Sequence, residues 1–88
     1  MKLGFLENKG VIGMIHCLPL PGAMNYGGDM QAVTDRALAD LEAMERAGVD
    51  AVIVENFCDK PITAKLDPGQ MAALSAVTAL VKERSTIP

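Results

Sequence analysis

The chain places polar or reactive side chains directly after two short apolar runs. These side chains belong to His16, Cys17, Glu55, Asn56, Cys58 and Asp59. The two runs, residues 11–16 and 51–55, have the length and the β-branched residues that are typical of buried strands. Because parallel strands end at one edge of their sheet, the pattern predicts a functional site at that edge.

His16 is the first candidate for a catalytic role. An imidazole at the end of a strand can act as a general acid or base near neutral pH, and the strand ends of barrel enzymes carry their catalytic residues. The alternative is a structural histidine that hydrogen-bonds to its loop and anchors it. The sequence leaves both interpretations open.

Glu55 and Asn56 end the second strand, where adjacent residues point to opposite sides of the sheet. Only one of them can therefore face the site squarely. Glu55 is a candidate catalytic residue, because it could pair with His16 and orient the imidazole. Asn56 is a candidate substrate-binding residue, since an amide can bind a hydroxyl or a carbonyl group. For both residues the alternative is a structural role in their own loop.

The two cysteines of the chain raise the question of a metal or redox site. Cys17 and Cys58 follow neighbouring strands at the same end and form a possible cluster with His16 and Asp59. Two thiolates and an imidazole are ligand types of a zinc site. Against this, neither C-x-x-C nor H-x-x-x-H spacing occurs, and consecutive strand residues diverge. A redox disulfide is a further interpretation. We expect ordinary thiols, no bound metal and no cofactor.

Length and composition restrict the class of protein. The 88 residues allow one small domain, and 50% hydrophobic with 22% charged residues is a globular composition. The net charge of −3 and the scattered basic residues predict that no nucleic acid is bound. Residues 10–28 contain no Asp, Glu, Lys or Arg, but Pro19 and Pro21 interrupt them and their apolar portion is too short to span a membrane. The stretch also lacks the pattern of a signal peptide. We therefore expect a cytoplasmic protein.

A helix signal follows each strand. Asp29 is placed to cap a helix over residues 29–47, whose apolar residues recur at three- and four-residue steps, and Gly48 follows its end. Asp67 opens a second helix, residues 68–84, with a proline at the first helical position and the pattern of a capping box.

The order strand, helix, strand, helix predicts two parallel βα units, and hence an α/β fold. Long loops after the strands and a short return after the first helix are typical of a (β/α)8 TIM barrel. The G-x-G-x-x-G loop of a doubly wound sheet is absent. Residues 1–88 are therefore predicted to be one incomplete domain, the N-terminal βαβα segment and about a quarter of such a barrel, with residues 1–9 as a lead-in.

Two βα units cannot close a barrel, because both helices cover the same face of the sheet. Two sets of apolar side chains would then lie on the bare face: Ile12 and Met14 if His16 points inward, and Val52 and Val54 if Asn56 does. Their exposure in an isolated fragment would cost roughly 1.5–3 kcal/mol each. The chain ends at residues 85–88, where a third strand should begin, so we expect part of a longer protein that is inactive on its own.

Three motifs of the chain are distinctive: VIGMIHCLPLPG at residues 11–22, GVDAVIVENF at residues 48–57 and STIP at residues 85–88. Together they resemble the start of the BtpA/SgcQ family, and the resemblance runs over residues 11–88. The family is similar to the ribulose-phosphate-binding class of (β/α)8 barrels, and its chains are much longer than this one. The matching motif positions are His16, Pro19, Gly22, Glu55 and Asn56, none with an established role. Cys17 and Cys58 depart from the family pattern.

Members of this family are known as membrane-complex or photosystem I biogenesis proteins and as products of sugar-related operons. The resemblance therefore implies a biogenesis factor, and the strand ends imply that it binds a small-molecule ligand. The alternatives are a metabolic enzyme that acts on a phosphorylated sugar or a related metabolite, and a non-catalytic assembly scaffold. The resemblance also implies peripheral association with a membrane. In addition, we expect a homo-oligomer in the full-length form.

Overall fold

The computed structural model describes residues 10–61 and 65–88. Its four elements are β1 (Ile12–His16), α1 (Met30–Ala47), β2 (Ala51–Glu55) and α2 (Pro68–Arg84). This is the βαβα order that the sequence predicts, and it makes the chain an α/β protein. The lead-in expected over residues 1–9 lies outside the described residues. Within the described ranges, no helix is long and apolar enough to cross a membrane.

Local signals account for both ends of α1. The side chain of Asp29 accepts a hydrogen bond from the backbone N–H of Ala32 at 3.2 Å, which gives a partner to one of the donors that begin a helix. Gly48 ends the helix at φ +84°, a left-handed conformation that glycine adopts without a Cβ clash. The buried stripe of α1 is formed by Val33, Ala37 and Leu41.

α2 begins with a reciprocal capping box. The side chain of Asp67 accepts the backbone N–H of Gln70 at 2.8 Å, and the Oε1 atom of Gln70 accepts the backbone N–H of Asp67 at 3.1 Å. Pro68 occupies the first helical position, where its missing N–H removes no helical hydrogen bond. The apolar stripe of α2 contributes Ala73, Val77 and Val81 to the same buried cluster as the stripe of α1.

β1 and β2 form a parallel two-stranded sheet, in a register that pairs His16 with Glu55. One face of the sheet packs on the two helices, and Ile15 on that face is completely buried. The opposite face is open. The exposed apolar side chains on it are Ile12 at 41%, Met14 at 38% and Ile53 at 47%.

The register corrects one expectation about the open face. Residues that are paired in a parallel ladder share a face of the sheet, so Ile53, the partner of Met14, lies on the open face. Val52 and Val54 are half-buried and pack against the core cluster on the helix side. The conditional expectation that these two valines line the open face is therefore wrong, because it assumed an inward-pointing Asn56.

Candidate functional site

His16 and Glu55 form a hydrogen-bonded pair at the carboxyl edge of the sheet. The Nε2 atom of His16 lies 2.8 Å from Oε1 of Glu55, because the register sets the two residues side by side. Their side chains are 42% and 36% exposed, so a ligand can reach both. Of the two residues that end the second strand, Glu55 is the one that meets the imidazole.

This pair determines which nitrogen of His16 is available for chemistry. A carboxylate oxygen only accepts hydrogen bonds, so Nε2 donates to Glu55 and carries the hydrogen. In the neutral imidazole the lone pair is then on Nδ1. Glu55 thus orients the ring, and Nδ1 is the atom suited to take a proton from a ligand or to return it.

Phe57 stacks on the His16 ring. The two ring centroids are 4.9 Å apart and the ring planes are inclined by 25°. Phe57 follows β2 and is itself 60% exposed, so it adds an apolar surface beside the imidazole and restricts the orientation of that ring. Sequence reasoning missed this residue. The available signal was an aromatic side chain two positions after Glu55 in a chain that is only 3% aromatic.

Asn56 contacts Asp59 rather than His16. Its Nδ2 atom donates a hydrogen bond of 3.2 Å to Oδ2 of Asp59. In return, the backbone N–H of Asp59 donates to the backbone oxygen of Asn56 at 3.0 Å. The geometry therefore matches the structural alternative for Asn56, in which the amide braces its own loop.

Asp59 is a completely buried carboxylate that joins three segments of the chain. Its Oδ1 atom accepts the backbone N–H of Leu20 at 2.7 Å. Its Oδ2 atom accepts the side-chain amides of Asn56 and Gln70, at 3.2 Å and 3.0 Å. A buried carboxylate requires such donors. Sequence reasoning grouped Asp59 with the cysteines and missed this role, because two of its three donors are remote in sequence.

Asn25 connects the same two loops a second time. Its Nδ2 atom donates to the backbone oxygen of Cys58 at 2.9 Å, and its Oδ1 atom accepts the backbone N–H of Lys60 at 3.0 Å. The backbone N–H of Met24 also donates to the backbone oxygen of Lys60, at 2.9 Å. The loops that follow β1 and β2 are therefore held together on both sides of the buried Asp59.

The Cys17 thiol is poorly suited to chemistry at neutral pH. Its side chain is completely buried, and burial, with smaller contributions from Asp59 and Cys58, raises the pKa of the Cys17 thiol to about 11. The protonated thiol is neither the nucleophilic nor the metal-binding form. Cys17 and Cys58 are both free thiols. Across residues 10–61 and 65–88, no group of three or more His, Cys, Asp or Glu residues is arranged to hold a metal ion.

Comparison with known protein families accounts for the motifs that surround this site. The profile of the BtpA family matches residues 7–88, nearly the whole sequence. The chain belongs to the BtpA family. No solved structure matches it.

Relatives within the BtpA family come from archaea and bacteria. An uncharacterized protein of Thermococcus kodakarensis is 42% identical over 82 residues, which cover 93% of this chain and 31% of that protein. The photosystem I biogenesis protein BtpA of Synechocystis is 42% identical over 78 residues, which cover 88% of this chain and 26% of that protein. The sgc region protein SgcQ of Escherichia coli is 34% identical over 82 residues, covering 91% of this chain and 31% of SgcQ. The chain thus spans less than a third of the length of these relatives.

Proposed function

We propose that this chain forms the first two βα units of a BtpA-type (β/α)8 barrel, which binds a small molecule at the carboxyl ends of its strands and acts in the biogenesis of photosystem I or a comparable membrane complex. The hydrogen bond between His16 and Glu55 is the observation that carries the proposal, because it sets an oriented acid–base group at that edge. The Synechocystis relative, named a photosystem I biogenesis protein, supports the biological role.

The open face of the sheet supports the barrel. In a (β/α)8 barrel the inward-pointing side chains stack in layers that are rich in branched apolar residues, and the site lies above the top layer. Ile12, Met14 and Ile53 stand on the same face as His16 and Glu55, nearer the amino ends of the strands. They are suited to fill the barrel interior, which would place the acid–base pair at its mouth.

The chemistry of the pair suggests how a ligand would be handled. Nδ1 of His16 would accept a proton from a ligand hydroxyl, or from a carbon next to a carbonyl group, and the Glu55 carboxylate would stabilise the resulting imidazolium. Phe57, stacked on the ring, would offer an apolar surface to the ligand body. Asn56 is the remaining candidate for binding the ligand, and it would have to exchange its hydrogen bond to Asp59 for one to the ligand.

A metabolic enzyme that acts on a phosphorylated sugar or a related metabolite is the second candidate. The same His16–Glu55 pair favours it, since an oriented acid–base group is a catalytic device. The phosphate site of such barrels lies after the last two strands, so residues 1–88 would supply the acid–base part of the site. In either case we expect a cytoplasmic homo-oligomer that contacts the membrane only peripherally.

A chimera tests the proposed function. In the chimera, residues 1–88 replace the matched region of Synechocystis BtpA; we call this protein the Synechocystis chimera. It is expressed in a Synechocystis strain that lacks the native BtpA, and the photosystem I content of the cells is measured. We expect the chimera to restore photosystem I, and His16→Gln to abolish the restoration. Glu55→Gln should lower photosystem I content as well, because the carboxylate that stabilises the imidazolium is lost.

A matched substitution controls for the loss of charge. Glu42 and Arg46 form an exposed pair on α1, with side chains 71% and 72% exposed, so Glu42→Gln should leave photosystem I unchanged. An inactive unsubstituted chimera would contradict a shared role with BtpA. Full activity of the His16→Gln chimera would exclude acid–base chemistry and favour a non-catalytic scaffold.

A further inference from the structure

The polar atoms that the His16–Glu55 pair leaves for a ligand are hydrogen-bond acceptors. Glu55 uses its Oε1 atom for the bond to Nε2 of His16, at 2.8 Å, which leaves Oε2 as an acceptor. Nδ1 of His16 carries the lone pair of the neutral imidazole. A ligand group that binds directly to this pair must therefore be a hydrogen-bond donor.

The carboxylates at this edge of the sheet are not balanced by cationic side chains. Within residues 10–61 and 65–88, no lysine or arginine pairs with Glu55 or with the buried Asp59, and the two other ion pairs lie on α1. The donors to Asp59 are one backbone N–H and two neutral side-chain amides. Its charge therefore acts on other groups: burial and then the charge of Asp59 are the main causes that raise the pKa of the Cys17 thiol to about 11.

The lysines that follow β2 contribute to a different surface. Lys60 and Lys65 line a hollow of about 240 Å³ beside Asp67, at the start of α2, and Glu55 is not among the residues that form it. The loop after β1, residues 17–28, contains no charged side chain. In the described part of the chain, an anionic ligand group would thus meet the Glu55 carboxylate without a positive partner beside it.

Phe57 adds a surface that attracts cations. Its ring is stacked on His16, with centroids 4.9 Å apart, and the residue is nevertheless 60% exposed. The face of an aromatic ring is the negative end of its quadrupole, so it attracts a cation and also packs against apolar groups. A carboxylate close to an exposed aromatic ring therefore matches a cation that has an apolar body.

We propose that the ligand of this site is a protonated amine with an apolar body, in which the amine donates to Oε2 of Glu55 and the body packs against Phe57. The inference rests on the proposed function, because it concerns the same site. Charge-assisted hydrogen bonds from an ammonium group to a carboxylate are about twice as strong as those from a neutral hydroxyl, whereas a phosphate would be repelled. Nδ1 of His16 stays available for proton transfer.

Three probes that share one body and differ in their head group test this assignment. At neutral pH benzylammonium is a cation, benzyl alcohol is a neutral donor and phenylacetate is an anion. Each is titrated into the purified Synechocystis chimera, and binding is followed by the NMR signals of the His16 imidazole, which the His16→Gln variant identifies. We expect benzylammonium to bind about tenfold more tightly than benzyl alcohol, and phenylacetate to bind most weakly.

Three results of this titration would overturn the proposal. They are equal affinities for the cation and the alcohol, a preference for phenylacetate, and binding of none of the three probes. Equal affinities would assign the site to a neutral hydroxyl group. A preference for the anion would mean that the rest of the barrel reverses the charge of this edge.

Glu55→Gln separates the effect of charge from that of packing. The glutamine oxygen still accepts a hydrogen bond but carries no charge, so benzylammonium should bind about tenfold more weakly and benzyl alcohol should change by less than about threefold. Glu42→Gln removes the same charge at an exposed position of α1 and should leave both affinities unchanged. Undiminished binding of benzylammonium to the Glu55→Gln chimera would contradict the proposal.

Binding of the probes is read independently of photosystem I. A chimera that restores photosystem I without preferring the cation contradicts only this inference. A chimera that prefers the cation without restoring photosystem I contradicts only the biological role. Should the chimera not fold, the three affinities are compared on intact Synechocystis BtpA, and the same outcomes decide.

Discussion

The carboxylate of Asp59 accepts the backbone N–H of Leu20, a residue 39 positions earlier, at 2.7 Å in a fully buried setting. This bond joins the loop after β1 to the loop after β2, and these loops follow the strand ends that carry His16 and Glu55. The side-chain amides of Asn56 and Gln70 complete the environment of the carboxylate. The two loops beside the proposed site are therefore joined through a buried polar network, in which the Asp59 carboxylate is the shared acceptor.

Asp59→Asn should destabilise the Synechocystis chimera. The asparagine amide donates where the carboxylate accepts, so at least one of the three surrounding donors loses its partner in a buried place. We expect the free energy of unfolding to fall by about 1–3 kcal/mol for each unpaired group, measured by urea denaturation. The control is Asp35→Asn, at an exposed position of α1 where the carboxylate accepts a hydrogen bond from the side chain of Gln31. This substitution should change the free energy of unfolding by less than about 0.5 kcal/mol.

Gly22→Ala should disrupt the N-terminus of α2. Gly22 has φ +100°, and a Cβ atom there would lie 2.5 Å from an oxygen of Asp67, the residue that caps α2. Gly28 also has a positive φ, of +82°, but no atom of the described residues lies within 4 Å of its Cβ position. Gly28→Ala should therefore lower the free energy of unfolding by about 1–2 kcal/mol, from backbone strain alone. Gly22→Ala should lower it further, because the added Cβ also clashes with Asp67. Equal losses in urea denaturation would show that the contact with Asp67 is unimportant.

Because the Cys17 thiol is buried, we expect the protein to lose stability in alkali. Its pKa rises from 9.0 to about 11 on folding, so the unfolded chain loses its proton first. The stabilisation that the protonated Cys17 thiol contributes is fully present below pH 9 and is lost as the pH rises to about 11. We expect the free energy of unfolding to fall by about 1–3 kcal/mol over that interval.

Cys17→Ala isolates this contribution, because lysine and tyrosine side chains also titrate in alkali. The difference in unfolding free energy between the chimera and its Cys17→Ala variant should shrink as the pH rises from 9 to 11. A difference that is independent of pH would contradict the buried, protonated thiol. Below pH 9, Cys17 should also react with iodoacetamide far more slowly in the folded protein than in urea.

The hydrogen bond between His16 and Glu55 should be measurable as a coupling energy. A double-mutant cycle with His16→Ala and Glu55→Ala should give about 0.5–1 kcal/mol, the range of a partly exposed hydrogen bond to a carboxylate. The matched cycle on Glu42 and Arg46, whose side chains are 71% and 72% exposed and 3.6 Å apart, should give a smaller value. A coupling between His16 and Glu55 no larger than that control would mean that the two side chains do not pair in solution.

Local features of the sequence determined the helices of this protein. Asp29 and Asp67 are capping residues next to amphipathic stretches, and the helices begin directly after them. Gly48 ends α1 because only glycine adopts its left-handed conformation easily. The βα order and the position of the candidate site at the strand ends follow from the same signals. Each of these features depends on residues within a few positions of one another, so short segments of the sequence are sufficient to predict it.

Only the tertiary structure decided which side chains meet. Periodicity left Glu55 and Asn56 as alternatives, because alternation along one strand says nothing about its register with another; pairing with β1 selected Glu55. The stacking of Phe57 on His16, the burial of Asp59 and the contact of Pro88 with Val52 likewise join residues that the sequence alone does not relate. Such contacts arise when the helices cover one face of the sheet and bring the loops together, and that packing is a property of the whole chain rather than of any segment.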